Sequence, residues 1–399
     1  MIFKKKMRNG TILKLLLILN IFIVQNFIFS CGRENNEKNI YIEDVSESFR
    51  EINNTKPLWE KNPEIGIKHI RTIGELDAKD DNLLFYQISD VSKDTYGNLY
   101  ILDRGNYRIQ KFSNTGEFIE TIGRRGQGPG EFINPIALDI NKNGILMCAD
   151  GTTKSIQFFN SEKKLIDYIR CEDSGDIISG ARFISDSKIV VPSTNVDFVD
   201  VQKRGEMKPL VQIYDTDGNV INEFVKPKTY NNFRETHFGN SIRFTVDNLD
   251  NIYVTFRTQN RIEKYSKTGK LLMRITRPLN FDIVEPVRME NSMNMKQIPS
   301  YVSTAIDVDD KGRFWVCTYI KQPDEKGGEG DMEAWSRQTY EIINRTDLQS
   351  LDIFDQDGTL LCTIPLSINV QKMRIFGNKI YFISHEGIDI KEYEIIEKQ

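Results

Sequence analysis

Three arginines recur near the start of a repeated strand pattern: Arg182 in "ARFIS", Arg243 in "SIRFTV" and Arg374 in "MRIFG". Aligning these strands on the turns that follow them puts Asp90, Ala137 and Ala305 at the matching position of the other copies. A guanidinium offers paired donors that fit a carboxylate or a phosphate, so three of them converging would hold an anionic ligand. Asp90, at the same position, is expected in that site with them; if each arginine instead pairs with a neighbouring Asp or Glu, or closes the channel, the same pattern is structural. Trp335 and Tyr340, in a long insert, have the flat faces to stack on a sugar ring, or to pin that insert to the body.

Other chemistry is sparse. The three histidines, His69, His237 and His385, are scattered, and no two have the spacing of metal ligands on a helix or hairpin. No G-x-S-x-G nucleophile motif occurs. The segment "GRRGQGPGEF" (123–132) lacks the following helix that a phosphate loop needs. Cys148 and Cys317 sit inside apolar strand patterns, and with Cys171 and Cys362 they are expected as buried free thiols. Nothing calls for a cofactor or a bound metal, and no residue stands out as catalytic.

The elements that carry these side chains repeat. "GNLYILDRGNYRIQKFSNTGEFIETI" (97–122) aligns with "NGILMCADGTTKSIQFFNSEKKLIDYI" (143–169) and with "DNIYVTFRTQNRIEKYSKTGKLLMRI" (250–275). A fourth copy is divided between 312–320 and 351–364, a fifth between 187–194 and 211–224, and the last, 378–395, stops short. A period near forty residues, made only of short β-branched and aromatic runs joined by Asp-, Asn- and Gly-rich turns, implies a β-propeller. The last copy lacks one strand, and "IKHIRTIGEL" (67–76) resembles the fourth strand of the first full copy. The fold expected is therefore all-β: a six-bladed β-propeller of four-stranded antiparallel blades, closed by an N-terminal strand that completes the last blade. Closure removes the free edges of a linear array.

The opening copy also resembles the NHL repeat, through Asp103, Asn106, Arg108, Ile109, Phe112, Gly128, Pro129, Gly130 and Phe132. The resemblance spans roughly residues 66–396 and is greatest to exported six-bladed propeller proteins of bacteria. Arg108 and Arg261 belong to that repeat signature and are expected to brace blades. Related propellers include metal-dependent lyases and lactonases with sites at the channel mouth, so a metal-assisted hydrolase or lyase is the alternative to a binding role.

Loop lengths point to one face. Extra residues collect between second and third strands (195–209 and 321–349) and between blades (226–240 and 277–302). In an up-and-down blade both classes emerge at the same end, where a rigid scaffold usually carries its binding residues. The expectation is a scaffold offering that face to a protein, peptide, glycan or small anionic ligand.

The N-terminus suggests where it works. Lys4, Lys5, Lys6, Arg8 and Lys14 precede an apolar stretch ending at Ser30, Cys31 and Gly32. This has the order of an export signal, and Ile28 to Cys31 resembles the lipobox of bacterial lipoproteins, whose cysteine carries the lipid. An uncleaved anchor is the other reading, because the stretch approaches spanning length. The division expected is a signal at 1–30, a lipidated Cys31 with a polar tether to 64, and the propeller over 65–399. The protein would then be exported and held at a membrane of the bacterial cell envelope, periplasmic or on the surface. The chain's net charge is -4. Without the five signal-region cations the body is more acidic still, which disfavours nucleic acid as a partner.

Overall fold

The computed structural model describes residues 40–43, 49–74, 79–171, 177–185, 187–194, 208–288, 295–297, 299–323 and 345–398. Cys31, Trp335, Tyr340, the signal-like segment and most of the inserts 195–209 and 321–349 lie outside them.

Six sheets surround a common axis. Their innermost strands are Ile88–Lys93, Pro135–Ile140, Arg182–Ile184, Ile242–Val246, Ser303–Val308 and Val370–Phe376, in blades one to six. Each blade continues outward by antiparallel pairing, as in the order Ile88–Lys93, Leu99–Asp103, Arg108–Phe112, Phe118–Ile122 of blade one. Blade six has three strands from the C-terminal end of the chain, and its outermost strand is Ile65–Ile73, antiparallel to Ile390–Glu397. The N-terminal closure expected from the sequence is therefore present.

Second strands such as Leu99–Asp103, Leu146–Asp150 and Ile252–Phe256 are buried at every residue. A middle strand of a blade faces neighbouring blades on both sides, so its sequence is a continuous apolar run with no alternation. Outermost strands alternate with solvent: in Phe118–Ile122 only Ile122 is fully buried. The apolar side chains form clusters between adjacent blades. One joins Tyr100, Leu102 and Ile109 of blade one to Leu138, Leu146 and Phe159 of blade two. Another joins Trp315 and Leu351 of blade five to Met373, Ile380 and Phe382 of blade six. Each large side chain so buried contributes about 1.5–3 kcal/mol. Cys148, Cys171, Cys317 and Cys362 are buried free thiols, and burial raises Cys171 and Cys362 to about 11.

Carboxylates and amides build the turns at one end. Asp94 accepts from the backbone N–H groups of Tyr96 and Asn98, Asn141 from those of Asn143 and Ile145, and Asp247 from those of Leu249 and Asn251. Asp309 does the same for Lys311 and Arg313. These short side chains satisfy the donors that a tight turn leaves unpaired. Blades three and six differ. Their first-to-second turns are shorter, since Ile184 pairs with Lys188 and Phe376 with Lys379 and the ladder runs one pair further.

The polar stretch before residue 65 is docked in part. Arg50–Asn54 pairs in parallel with Leu271–Thr276, the outer strand of blade four, and Ile40–Glu43 pairs with it in turn. Asn54 bridges blades four and five by donating to the carbonyls of Thr276 and Gly358 and accepting from Leu360 N–H. Leu58 and Trp59 then donate backbone bonds to Leu360 and Leu361 of blade five.

Candidate functional site at the channel

Inner strands have a free edge toward the axis, where the splay of the blades prevents backbone pairing. Carboxylates fill that gap. Asp90 of blade one accepts from Leu138 N–H of blade two at 3.0 Å. Asp139 of blade two accepts from Phe183 N–H of blade three at 3.0 Å, and Asp307 of blade five from Ile375 N–H of blade six at 2.6 Å. A buried donor left unpaired is costly, so an acid at these places stitches neighbouring blades together.

Strand register sorts the channel residues into layers. Ser92, Asp139, Thr245 and Asp307 pair with the second residue of the next strand, Tyr100, Met147, Tyr253 and Trp315, and Arg182 and Arg374, where the ladder is one pair longer, with the third, Val190 and Tyr381. Two residues nearer the long-loop end stand Asp90, Ala137, Gly180, Arg243, Ala305 and Lys372. The lower layer repeats hydroxyl, acid and arginine twice around the ring.

Arg182 and Arg374 thus stand one layer below Arg243, where alignment on the turns placed all three together. The cause is the shortened turns of blades three and six, which put a count taken from the turn two residues out. Arg182 donates to Asp90 at 2.9 Å. Arg374 lies 3.3 Å from Asp139, 3.7 Å from Asp307 and 3.9 Å from Asp90. Lys372 completes the group at 2.9 Å from Asp90, and Thr245 donates its hydroxyl to Asp307.

Three acids and three cations balance here. Burial would raise Asp90, yet Arg182, Lys372, Arg374 and the Leu138 N–H hold it well below the usual carboxylate range. Burial dominates for the other two, pulling Lys372 down to about 8 and raising Asp307. This network forms the floor of a cavity of about 910 Å³ at the short-turn end. The lining includes Asp94, Asp139, Asp247, Asp250, Asp307, Asp309 and Asp310 against Lys93, Lys142, Arg182 and Arg374, so that end repels anions.

The long-loop end is different. Arg243 and Arg257 of blade four are half-buried electrostatic neighbours, and among the described residues neither has an acidic partner. Arg243 donates to Ile242 C=O at 2.9 Å. Arg257 lies with its guanidinium 4.4 Å from the ring centre of Tyr301, which packs on Tyr319 at 5.6 Å. Burial and the charge of Arg257 lower Arg243 to about 10, still cationic at neutral pH. His385 of blade six is affected by both arginines, and burial with their repulsion lowers it to about 4. Register explains the grouping: Arg104, Arg257, Tyr319 and His385 each come directly after the last second-strand residue paired to the inner strand, Asp103, Phe256, Thr318 and Ser384. Sequence reasoning missed Arg257 and His385 as channel residues, although aligning copies on the second strand brings them into one column.

His69 is on the outer strand of blade six against Tyr393, and His237 is in the helix Phe233–Gly239 of a long connection. The three histidines are not brought together. Among the described residues no group of three His, Cys, Asp or Glu side chains is arranged to hold a metal ion. Arg108 braces as expected, joining Asp103 at 3.2 Å to the carbonyl of Leu84 in the connection from blade six.

Comparison with known proteins supports the architecture. A family profile described as a six-bladed beta-propeller, DUF5128, matches residues 70–174. No curated protein sequence matches the chain. Among solved structures, a Bacteroides fragilis protein assigned as exported has a TM-score of 0.55 at 12% identity, over 88% of this chain and 100% of its own. A DUF4221-family protein of Bacteroides vulgatus has a TM-score of 0.56 at 11% identity, over 84% and 100%. A Bacteroides thetaiotaomicron protein has a TM-score of 0.50 at 11% identity, over 83% and 76%. At these identities the likeness is one of fold.

Proposed function

We propose that the protein is a membrane-tethered, extracytoplasmic binding scaffold that takes an acidic ligand at the long-loop mouth of its channel. One observation carries this reading. Arg243 lies in the field of Arg257 and among the described residues neither has an acid partner, while the arginines one layer below are neutralised. Two half-buried guanidiniums in mutual repulsion are stabilised by an incoming oxyanion, either carboxylate or phosphoryl. The ring of Tyr301 beside Arg257 offers an apolar face for the rest of such a ligand.

Export is supported by the signal-like N-terminus and by the fold's likeness to a protein assigned as exported. Retention at the membrane would come through lipid on Cys31. Mass spectrometry of the N-terminal peptide from cells tests this: a lipid-modified Cys31 is expected, and an intact residue 1–30 segment would contradict it.

Binding is tested by calorimetry with galacturonate oligomers, inorganic phosphate and neutral glucose oligomers. The acidic probes should bind the wild type and fail on an R243A/R257A protein. Equal binding of the neutral oligomers, or acidic binding that survives the double substitution, would overturn the reading.

A further inference from the structure

His385 has a place in this site that no catalytic or metal role requires. It follows directly on the second strand of blade six, and its backbone N–H donates to Asn369 C=O at 3.3 Å, fixing the start of the loop. Its Nε2 is buried without a hydrogen-bond partner. A buried polar atom left so is expensive unless something else completes it. The charged groups acting on the ring are Arg243 and Arg257 of blade four. From blade five, Tyr319 is affected by the same two arginines. On its own loop, Glu386 is exposed and Asp389 is paired with Lys391. No carboxylate among the described residues counters the two guanidiniums at this point.

We propose that His385 is the third ligand of the oxyanion held by Arg243 and Arg257, and that it takes up a proton from solvent as the anion binds. The proposal rests on the mouth being the anion site. Without an anion, burial and the two arginines keep the imidazole neutral down to about pH 4. An anion among the three groups reverses the local field. The ring then gains an acceptor for its N–H⁺ and moves up toward its ordinary 6.5. Linkage fixes the sign: a site that gains a proton on binding holds its ligand more tightly as pH falls between the two titration points. The scaffold would therefore collect acidic ligands more strongly in a mildly acidic medium and release them toward neutrality.

Sulfate is a suitable probe, because its own charge is constant over this range. With three histidines in the chain, their imidazole resonances can be followed by NMR during a pH titration, and H385Q assigns the signal. Without sulfate one ring should titrate near 4, and with saturating sulfate the same ring should titrate well above 5. By calorimetry the sulfate Kd should tighten about tenfold between pH 7 and pH 5 in the wild type, the limit for one proton being tenfold per pH unit. It should stay flat in H385Q. If sulfate binds and needs Arg243, but the Kd is flat and the ring does not move, the role of His385 is overturned and the anion site stands. No sulfate binding at any pH would overturn the anion site and this inference with it. The wild-type NMR titration does not depend on any variant folding.

Discussion

Two pairs of arginines occupy one channel and do opposite things. Arg182 and Arg374 lie among Asp90, Asp139 and Asp307, in a network whose charges, with Lys372, cancel and whose carboxylates also hold the inner strands of adjacent blades. Nearer the long loops, Arg257 lies over the ring of Tyr301, a neutral histidine feels both Arg243 and Arg257, and among the described residues no acid balances them. The same side chain is mortar at one level and a candidate ligand at the next. What separates them is whether the adjacent blade supplies an acid at the facing register position. Breaking a buried ion network is destabilising because the remaining charges stay buried. Removing an uncompensated cation relieves repulsion, and its cost falls on binding.

The largest effect should come from the balanced network. D90N leaves Arg182 and Lys372 buried without their shared carboxylate, and a loss of about 3–5 kcal/mol in urea unfolding is expected. A loss below about 1 kcal/mol would remove the contrast between the layers. At the mouth, R243A/R257A should reduce binding of an acidic probe by at least about a hundredfold, two charge-assisted bonds being worth about 1.5–3 kcal/mol each. Its unfolding free energy should stay within about 1 kcal/mol of the wild type. A smaller change belongs to the lower ring: T245V removes the hydroxyl bonded to Asp307, and about 1 kcal/mol of stability should go with it. Smallest is R50A at the rim, where the pair with Asp357 is solvent-exposed and should contribute less than about 1 kcal/mol by thermal unfolding.

pH sharpens the same comparison. Asp90 is depressed below its ordinary 3.8, so its contribution is complete above that value and lost as pH falls further. His385 is depressed from 6.5 to about 4, so the unfolded chain binds more protons between those values. Acidification through that window should therefore lower stability in the absence of an anion. H385Q should flatten this part of a stability profile measured by urea unfolding at fixed ionic strength.

Much of this architecture was legible in the residues. Asp-, Asn- and Gly-rich turns and the apolar second strands give the blade count, and the missing strand at the C-terminal end pointed to 67–76 as closure, where the strand Ile65–Ile73 lies. Arg108, expected as a bracing residue, bonds to Asp103 of its own blade and to the carbonyl of Leu84 in the connection from blade six. The channel was harder, because its chemistry depends on register across blades far apart in sequence. Arg374 meets Asp139 from 235 residues away, and nothing local marks either as the other's partner. Shortened turns in blades three and six then shifted Arg182 and Arg374 out of the layer of Arg243. Arg257 and His385 were passed over because each stands alone in its loop, and only the shared position after the second strand connects them.

The direct test of the two-level channel is an anomalous diffraction map from crystals soaked in selenate. Selenium should appear at the long-loop mouth between Arg243 and Arg257, with His385 in contact and no peak beside Arg182 or Arg374. A peak in the lower layer, or a mouth whose two arginines are already held by carboxylates of the chain, would contradict the account.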